Sequence, residues 1–450
     1  MTRSLFGTDG IRGRANVAPM TPEMALRLGR AVTFVARKHG RKTPRIVIGK
    51  DTRLSGYMLE QAMAAGICSM GGHVLITGPI PTPAVANLTH SMRADAGIVI
   101  SASHNPYWDN GIKIFARDGF KLPDEQELEI ENLLRSPELD KGPTGARIGG
   151  ATRIDDAIGR YVVFAKATFP ADLSLDGLRI VVDAAHGAAY KVAPAVLREL
   201  GAEVIALGVR PNGQNINQKS GALHPEYVQK EVVRKEAHLG IALDGDADRV
   251  ILVDEKGKVV DGDAVMAIAA LRMLKDDRLH KSTLVTTVMS NMGLEQALDR
   301  AGGKLLRTQV GDRYVVEAMR KGGYNFGGEQ SGHLIFLDHA TTGDGTVAAL
   351  QALGVMLREQ KPMSELARCM ERFPQILEGY TFPRRLPLDQ MANLQKAMRA
   401  AEQTLGKEGR IVVRWSGTEP KLRLMGESTD ETKLRNIMAE LRAAAEIDLR

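Results

Sequence analysis

The sequence predicts an α/β protein of several domains, and three observations carry that prediction. Short strands rich in β-branched residues recur along the chain, nearly all end in a polar or glycine-rich turn, and helix-periodic segments follow them. The 450 residues correspond to about three or four domains at roughly 100 to 200 residues each. Hydrophobic residues make up 44% and charged residues 25%, an ordinary globular mixture that excludes a chain disordered throughout.

The first helix is predicted to begin at Pro22, because Thr21 can cap it and proline suits the first helical position. A strand follows over residues 46–48 and runs into a Gly-Lys-Asp turn. Between them, the basic stretch 36–45 is predicted to be a solvated loop, since no aromatic residue interrupts it as a platform for stacking nucleic-acid bases. The apolar residues that return on one face of the helix are Met24, Leu28, Val32 and Val35.

Further strands follow in the same pattern, each ending in a turn. In open parallel sheets, ligands gather at the carboxyl ends of strands, so we expect the chemistry of the protein in these turns. Changes of composition predict four domains, over residues 1–155, 156–256, 257–369 and 370–450. The predicted strands lie at residues 74–76, 98–100, 180–182, 241–243 and 284–288.

Composition also bounds the setting of the protein. Cys68 and Cys369 lie far apart without partners at metal-ligand spacing, so neither a disulfide framework nor a zinc site is expected, and a reducing cytoplasmic compartment fits best. No secretory signal and no run of about 18 apolar residues is present, which argues against export and membrane spanning. The net charge of +6 is diluted over the chain and suits small phosphates as well as nucleic acid.

The first chemical motif is Ser101-Ala102-Ser103-His104-Asn105-Pro106, which directly follows the strand at 98–100. Asn105 and Pro106 favour a turn that fixes the preceding hydroxyl, and Ala102 leaves room for a ligand. Serine needs a base, a metal or an incoming phosphoryl group to react, and a Ser-His pair in a turn can also be purely structural. The motif thus presents a candidate nucleophilic serine at the end of a strand, and substitution of Ser101 is expected to have a mild effect.

The second motif is Asp244-Gly245-Asp246-Ala247-Asp248-Arg249, between the strand at 241–243 and an apolar segment at 250–253. A period of two can point all three carboxylates the same way, which predicts hard oxygen ligands for Mg²⁺. A calcium loop is the alternative, with Glu255 at its twelfth position, but Arg249 stands where such a loop needs glycine, and strands replace the flanking helices. A solvated acidic turn is the remaining interpretation.

Two further motifs suit a phosphorylated sugar. In the segment 327–333, glycines allow close backbone approach, while Glu329, Ser331 and His333 offer directional hydrogen bonds to hydroxyls; structural turns of this composition are equally common. The segment 414–423 offers guanidinium and hydroxyl donors that match a phosphate dianion, with a surface turn as the alternative. Its candidate ligands are Arg414, Ser416, Gly417, Thr418 and Arg423.

The order of these four motifs resembles the α-D-phosphohexomutase superfamily over essentially the full chain. The resemblance is sharpest at residues 6–13, at the turn 101–106 with its continuation 109–113, and at 328–333, where the variants are similar to members that act on glucosamine phosphates. It implies a four-domain, heart-shaped α/β architecture, with three similar mixed-sheet domains and a smaller carboxyl-terminal domain closing over one cleft. Members that act on mannose or glucose phosphates are the alternative, although they tend to carry other residues where this chain has Gln330.

The resemblance also implies a reaction. A phosphorylated Ser103 would pass its phosphoryl group to glucosamine phosphate, and the bisphosphorylated sugar would turn around in the cleft and return its other phosphoryl group, supplying a precursor of UDP-N-acetylglucosamine and of the cell wall. Mg²⁺ would be held by Asp244, Asp246 and Asp248 against the phosphate on Ser103. By the same resemblance, Glu329 and Ser331 would bind sugar hydroxyls and the segment 414–423 the non-reacting phosphate. The residues implied around the reacting phosphate are Arg12, His104, Lys113 and Arg249.

For proton transfer, the resemblance leaves more than one candidate residue. Lys113 and His333 are candidates, while some members carry a histidine where this chain has Asp312. A metal-dependent phosphatase and a nucleic-acid-binding protein are the rival classes, and isomer formation without net phosphate release, or salt-dependent nucleic-acid binding, would separate them. The expected partner is a phosphosugar, with neither nucleic acid nor a membrane, for a monomer or homodimer.

Overall fold

A computed structural model describes residues 5–7, 9–382, 384–416 and 421–449 of the chain. Three mixed α/β sheets follow one another along the chain, and a smaller antiparallel sheet comes last. The predicted fold class is confirmed. Among the described helices, none is both long enough and apolar enough to span a bilayer.

The first sheet has six strands in the order β1-β5-β4-β2-β3-β6, in which β5 runs antiparallel to both of its neighbours and the other pairings are parallel. Thr21 caps the first helix as predicted, its Oγ1 accepting from the backbone N–H of Met24 at 3.3 Å. The elements are β1 (Ile11–Arg14), α1 (Pro22–His39), β2 (Arg45–Lys50), α2 (Leu54–Ser69), β3 (His73–Pro79), α3 (Thr82–Ser91), β4 (Ala96–Ile100), β5 (Asp109–Ala116), α4 (Asp124–Leu133) and β6 (Ala151–Arg153).

The second sheet has the order β11-β10-β9-β7-β8, with β7 parallel to β8 and β9, while β10 runs antiparallel to β9 and β11. The short hairpin from β9 to β10 therefore carries the acidic motif at a strand end, as the sequence predicts. The elements are α5 (Ala157–Ala167), β7 (Arg179–Asp183), α6 (Val192–Glu199), β8 (Glu203–Leu207), α7 (Glu226–Arg234), β9 (Leu239–Leu243), β10 (Val250–Asp254) and β11 (Val259–Val260).

The third sheet has the order β13-β12-β14-β15, and only its pairing of β14 with β15 is antiparallel. The turn from β14 to β15 contains the predicted sugar-binding segment. The elements are α8 (Gly262–Lys275), β12 (Thr283–Thr287), α9 (Met292–Arg300), β13 (Lys304–Thr308), α10 (Asp312–Gly322), β14 (Phe326–Gly328), β15 (Leu334–Phe336), α11 (Gly345–Glu359) and α12 (Met363–Leu366).

The last sheet is antiparallel, in the order β16-β18-β17, and two helices cover it. The elements are β16 (Gln375–Thr381), α13 (Ala392–Leu405), β17 (Gly409–Trp415), β18 (Lys421–Ser428) and α14 (Glu431–Leu449). Its apolar residues form a core cluster drawn entirely from residues 376–449, whereas the largest core cluster runs from Val47 to Met370 and so joins the first three sheets. The predicted boundaries of the four domains stay predictions.

Candidate functional site

Ser103 lies in the turn that follows β4, and the fold holds this turn in a costly conformation. Its φ is 50°, in the left-handed region that a non-glycine residue enters at a cost of roughly 1 kcal/mol. Its side chain is buried, and its Oγ donates to Oδ2 of Asp244 at 2.6 Å. The predicted nucleophile of the first sheet thus touches the acidic motif of the second.

Two arginines and a histidine surround this hydroxyl. Nδ1 of His104 lies 3.3 Å from Ser103 Oγ and 3.3 Å from Nη1 of Arg249, while Nη1 of Arg12 donates to the carbonyl of Ala102 at 3.4 Å. Burial, followed by the charges of Arg249 and Arg12, lowers the pKa of His104 to about 4, so its ring is neutral at pH 7. Nε of Arg12 and Nε of Arg249 are buried without a hydrogen-bond partner. Unpaired buried guanidinium N–H groups beside a serine form a site suited to an anion.

Asp244, Asp246 and Asp248 are all buried, and a ligand atom from each lies within 4.8 Å of the others. Burial, together with the neighbouring charges of Asp248 and Asp246, raises the pKa of Asp244 well above its usual range. Oδ1 of Asp246 and Oδ1 of Asp248 are buried and lack a hydrogen-bond partner. A compact group of carboxylates with unpaired oxygens fits a hard divalent cation such as Mg²⁺.

The calcium alternative does not fit the same geometry. The three aspartates lie between two strands, and Glu255 turns away from them, since its carboxylate accepts from the hydroxyl and the backbone N–H of Ser364. Glu255 therefore does not complete a calcium loop.

Lys113, on β5, is a cation that contacts this acidic group, and Nε of Arg249 also lies 3.9 Å from Oδ1 of Asp248. Its Nζ lies 3.0 Å from Oδ2 of Asp246, 3.1 Å from Oδ2 of Asp248 and 3.1 Å from Oδ2 of Asp9. Burial opposes its charge, but these carboxylates outweigh burial and raise its pKa well above the usual range. Lys113 is accordingly an ammonium group at neutral pH.

His333, from the third sheet, joins the same network. Its Nε2 lies 3.4 Å from Oδ2 of Asp312 and its Nδ1 lies 3.7 Å from Oδ1 of Asp248. Burial opposes protonation, but Asp248 and Asp312 outweigh it and raise the pKa of His333. Lys121 connects Asp312 to Asp9, at 2.5 Å from each. A closed ring of ionisable groups results, in the order Lys113, Asp9, Lys121, Asp312, His333 and Asp248.

The segment 327–333 forms a tight turn against the second sheet. The backbone N–H of Glu329 donates to the carbonyl of His333 at 2.9 Å, and Val250 donates to the carbonyl of Gly332 at 3.0 Å. Gly332 has a φ of 89°, and a β-carbon there would lie 2.1 Å from the carbonyl oxygen of Val250, so this position requires glycine. The Glu329 carboxylate accepts from the N–H of Gly311 at 3.1 Å and from Ser331 Oγ at 3.4 Å. Two polar side chains are thus presented next to His333.

The last sheet brings Arg414 and Arg423 together, because they are directly opposite across β17 and β18. Burial and the charge of Arg423 lower the pKa of Arg414, as expected where two guanidinium groups face each other. Ser416 is buried at the end of β17, and its N–H donates to the carbonyl of Lys421 at 2.8 Å. A pair of neighbouring cations is suited to a dianion. Gly417 and Thr418, the other predicted ligands, lie outside the described residues.

Sequence reasoning missed several residues that build this site. Arg53 and Asp51 lie under the serine turn, and Ser101 accepts from the N–H of Ser103 at 2.9 Å while donating to Asp51. The signal was the Lys50-Asp51-Thr52-Arg53 stretch at the carboxyl end of β2, next to β4 in the sheet. Asp9 was given no role although it lies within the motif at residues 6–13, and Lys121 was missed because a charged residue outside a motif gives no signal in a single sequence.

Comparison with protein families extends over nearly the whole chain. The models described as phosphoglucomutase/phosphomannomutase alpha/beta/alpha domains I, II and III match residues 3–141, 160–257 and 261–373. The model of the phosphoglucomutase/phosphomannomutase C-terminal domain matches residues 380–444.

Among curated relatives, three named phosphoglucosamine mutase come from Sorangium cellulosum, Anaeromyxobacter dehalogenans and Myxococcus xanthus. They are 66%, 62% and 61% identical to this chain. The alignments cover 99%, 99% and 96% of this chain and 94%, 100% and 94% of the relatives.

Solved structures share the fold at much lower identity. A phosphoglucomutase/phosphomannomutase family protein from Burkholderia thailandensis superposes with a TM-score of 0.83 at 23% identity, covering 99% of this chain and 98% of its own. The N-acetylphosphoglucosamine mutase of Aspergillus fumigatus, in complex with GlcNAc-6P and magnesium, gives a TM-score of 0.67 at 15% identity, covering 100% and 96%. With all four family models matched in order, this chain belongs to the phosphoglucomutase/phosphomannomutase family.

Proposed function

We propose that this protein is a phosphoglucosamine mutase, which interconverts glucosamine 6-phosphate and glucosamine 1-phosphate through a phosphoserine at residue 103. The observation that carries the proposal is the contact of Ser103 Oγ with Asp244 at 2.6 Å, beside two arginines whose Nε atoms are buried without a hydrogen-bond partner. A nucleophile, a group of metal ligands and anion donors converge there. The name shared by relatives at 61% to 66% identity supports the choice of substrate.

The proposed reaction consists of two phosphoryl transfers in opposite senses. In the first, a sugar oxygen forms a bond to the phosphorus carried by Ser103 as the Ser103 Oγ–P bond breaks; the sugar hydroxyl loses a proton and Ser103 Oγ gains one. In the second, Ser103 Oγ loses its proton and attacks the other phosphate of the bisphosphorylated sugar, the bond from that phosphorus to the sugar oxygen breaks, and the departing sugar oxygen receives a proton. The sugar has changed its position of phosphorylation, and the phosphoserine is restored.

Charge near Ser103 supports this scheme. Arg12 and Arg249 would donate hydrogen bonds to oxygens of the phosphoryl group, which carry negative charge in the transition state of the transfer. Asp244, Asp246 and Asp248, with the phosphate on Ser103, would hold Mg²⁺. When bound, the ion offsets charge on the transferring phosphoryl group. The neutral ring of His104 would contribute a hydrogen bond rather than a charge.

Lys113 and His333 are the proposed proton-transfer groups. They come from different sheets, and both contact the carboxylate of Asp248, at 3.1 Å for Lys113 and 3.7 Å for His333. Since Asp248 belongs to the same group of carboxylates as Asp244, which binds Ser103 Oγ, each would be placed to serve the sugar oxygen that faces Ser103.

Binding of the rest of the substrate would fall to the third and fourth domains. Glu329 and Ser331 would accept and donate hydrogen bonds to sugar hydroxyls. Arg414, Ser416, Gly417, Thr418 and Arg423 would bind the phosphate that is not reacting. Because the two phosphates exchange places, a remote phosphate site must accept either end of the sugar.

The setting of the enzyme completes the proposal. Cys68 and Cys369 are both free thiols, in keeping with a reducing cytoplasm. The phosphosugar is the proposed partner, and a monomer or homodimer remains the prediction for its assembly.

The test compares substrates under one set of conditions. Glucosamine 6-phosphate should be converted to the 1-phosphate, without net release of inorganic phosphate, at a higher kcat/KM than glucose or mannose phosphates. Loss of the charge-assisted bond from a 2-amino group corresponds to roughly 1.5 to 3 kcal/mol, so slow glucose turnover is compatible with the proposal. A preference for mannose phosphate, or steady phosphate release, would refute it. Intact mass with peptide mapping should locate one phosphate on Ser103.

A further inference from the structure

We propose that Arg53 and Asn217 are positioning residues that clamp the turn of Ser103 from two domains, an inference that rests on the mutase function proposed above. Both residues bind the same two acceptors, the backbone carbonyls of Ser103 and Asn105, on either side of His104. Nη2 of Arg53 donates to them at 3.0 and 2.5 Å. Nδ2 of Asn217 donates to them at 2.9 and 3.1 Å.

The arm of the clamp in the first domain is Arg53, whose side chain is fully buried. Its Nη1 pairs with Asp51, which in turn accepts from Ser101 Oγ, so the guanidinium is neutralised and fixed below the turn. The residues on either side of Arg53 are anchored on the second domain. Thr52 Oγ1 donates to the carbonyl of His186 at 2.6 Å, and the N–H of Leu54 donates to that of Gly213 at 2.9 Å.

The second domain supplies Asn217, which is also buried and whose φ is 58°. Its N–H donates to the carbonyl of Ala185 at 2.9 Å, which ties its loop to the end of β7. Gly245, within the acidic motif, packs against the same turn. A β-carbon there would lie 2.5 Å from the carbonyl oxygen of Ser103 and 2.8 Å from Nδ2 of Asn217. The turn of the nucleophile is therefore packed directly against the backbone of the metal-ligand loop.

This geometry has a consequence for rate rather than for substrate affinity. The clamp binds backbone carbonyls, so it acts on the substrate only through the position of Ser103 Oγ relative to Asp244. Misplacement of a reacting atom by about 1 Å can cost roughly 100-fold in rate. The proposed sugar and phosphate ligands lie on the third and fourth domains, so their affinity does not depend on this turn.

The test uses the full-length enzyme with two variants, Asn217→Gly and Arg53→Lys. Glycine can adopt the positive φ of residue 217 but lacks the side-chain amide. Lysine keeps the positive charge at residue 53 but lacks the planar guanidinium that donates to two carbonyls at once. The matched control is Gln218→Ala, because Gln218 is the next residue of the loop and is exposed. The measurements are kcat and KM for glucosamine 6-phosphate, the melting temperature, and the single-turnover rate at which glucose 1,6-bisphosphate phosphorylates Ser103, followed by intact mass.

We expect both variants to lose about 10- to 100-fold in kcat and in the rate of Ser103 phosphorylation, with KM within about two-fold of wild type. The control should match wild type in all measurements. Folded variants whose kcat stays within about three-fold of wild type would overturn the clamp. So would a loss of activity that equals the loss of folded protein, or a rise in KM with an unchanged phosphorylation rate. Wild-type protein without mutase activity would refute the proposed function instead, so the two failures are distinguishable.

Discussion

At the scale of single residues, the turn of Ser103 is held by hydrogen bonds to its backbone, and these offset the cost of a left-handed conformation. Its N–H donates to Ser101 Oγ at 2.9 Å, and its carbonyl accepts from Arg53 and Asn217 at 3.0 and 2.9 Å. Strained backbone conformations persist where the surroundings fix them from several sides. The serine can therefore lose its side chain without losing its turn.

Replacement of Ser103 by alanine should leave a folded protein that is nearly inactive. The backbone bonds of the turn remain, but the oxygen that carries the phosphoryl group is gone. Activity above about a tenth of wild type, equivalent to a loss below 1.4 kcal/mol, would contradict the covalent scheme. Steady-state assays of the variant, with circular dichroism to verify its fold, provide the measurement.

Ser101→Ala should be more harmful than the sequence alone suggests. The motif led to the expectation of a mild effect, but Ser101 is buried and links the N–H of Ser103 to Asp51. Loss of the Ser101 hydroxyl leaves the buried N–H of Ser103 without an acceptor, which destabilises the folded turn by about 1 to 3 kcal/mol, and the turn of Ser103 is then held less firmly. We expect kcat to fall about ten-fold or more. If Ser101→Ala kept more than half the wild-type kcat, the link would have no catalytic importance.

At the scale of elements, the sequence predicted strands better than it predicted contacts between them. The apolar segments at 98–100 and 241–243 lie at the ends of β4 and β9, where buried runs followed by polar turns leave few alternatives. The same segments do not specify that Ser103 meets Asp244, since the pairing of two sheets depends on long-range packing. Arg53 and Asn217 escaped notice for that reason.

The buried carboxyl of Asp263, at the start of α8, should make the free energy of unfolding depend on pH. Burial, with the charges of Asp261 and Glu427, raises its pKa to about 7, against an ordinary value of 3.8. The folded protein thus binds this proton more tightly than the unfolded chain does. Stability from this group is complete below about pH 4 and is lost as pH rises through 7, by on the order of 4 kcal/mol at most.

Asp263→Asn should remove that dependence. Its amide oxygen can still accept from the N–H of Asn291, which now donates to Asp263 at 2.8 Å. We expect the variant to be more stable than wild type at pH 8 and the difference to shrink towards pH 5. Urea unfolding at both pH values measures it, and an equal difference at the two would exclude Asp263 as the titrating group.

At the scale of the whole molecule, the proposed site takes its residues from all four sheets. The first sheet supplies the serine, the second the acidic group, the third His333 and Glu329, and the last the pair of arginines. The family resemblance implied that each motif comes from a different domain, and the motifs do lie on four different sheets, while their roles stay proposals. It did not anticipate the closed ring through Lys121 and Asp312, because the ring depends on side chains that meet only across domains.

Arg423→Ala should chiefly raise KM, and it should do so in both directions of the reaction. The lost donor serves the proposed phosphate that is not reacting, whose binding changes little between ground and transition states. The substrate should bind more weakly by about 1.5 to 3 kcal/mol, which corresponds to a rise in KM of roughly 10- to 150-fold. Measurement of forward and reverse kcat/KM tests this directly. A defect confined to one direction would refute a phosphate site shared by both ends of the sugar.

The separate core of the last sheet has a consequence for local unfolding. Because its apolar cluster lies within residues 376–449, this part of the chain can open as a cooperative unit while the joint core of the first three sheets stays intact. Amide protons of β17 and β18 should then exchange with deuterium sooner than those of β4 and β9. A phosphosugar bound by Arg414 and Arg423, as proposed, would slow that exchange by mass action, so substrate binding would also be measurable as slower deuterium exchange in β17 and β18.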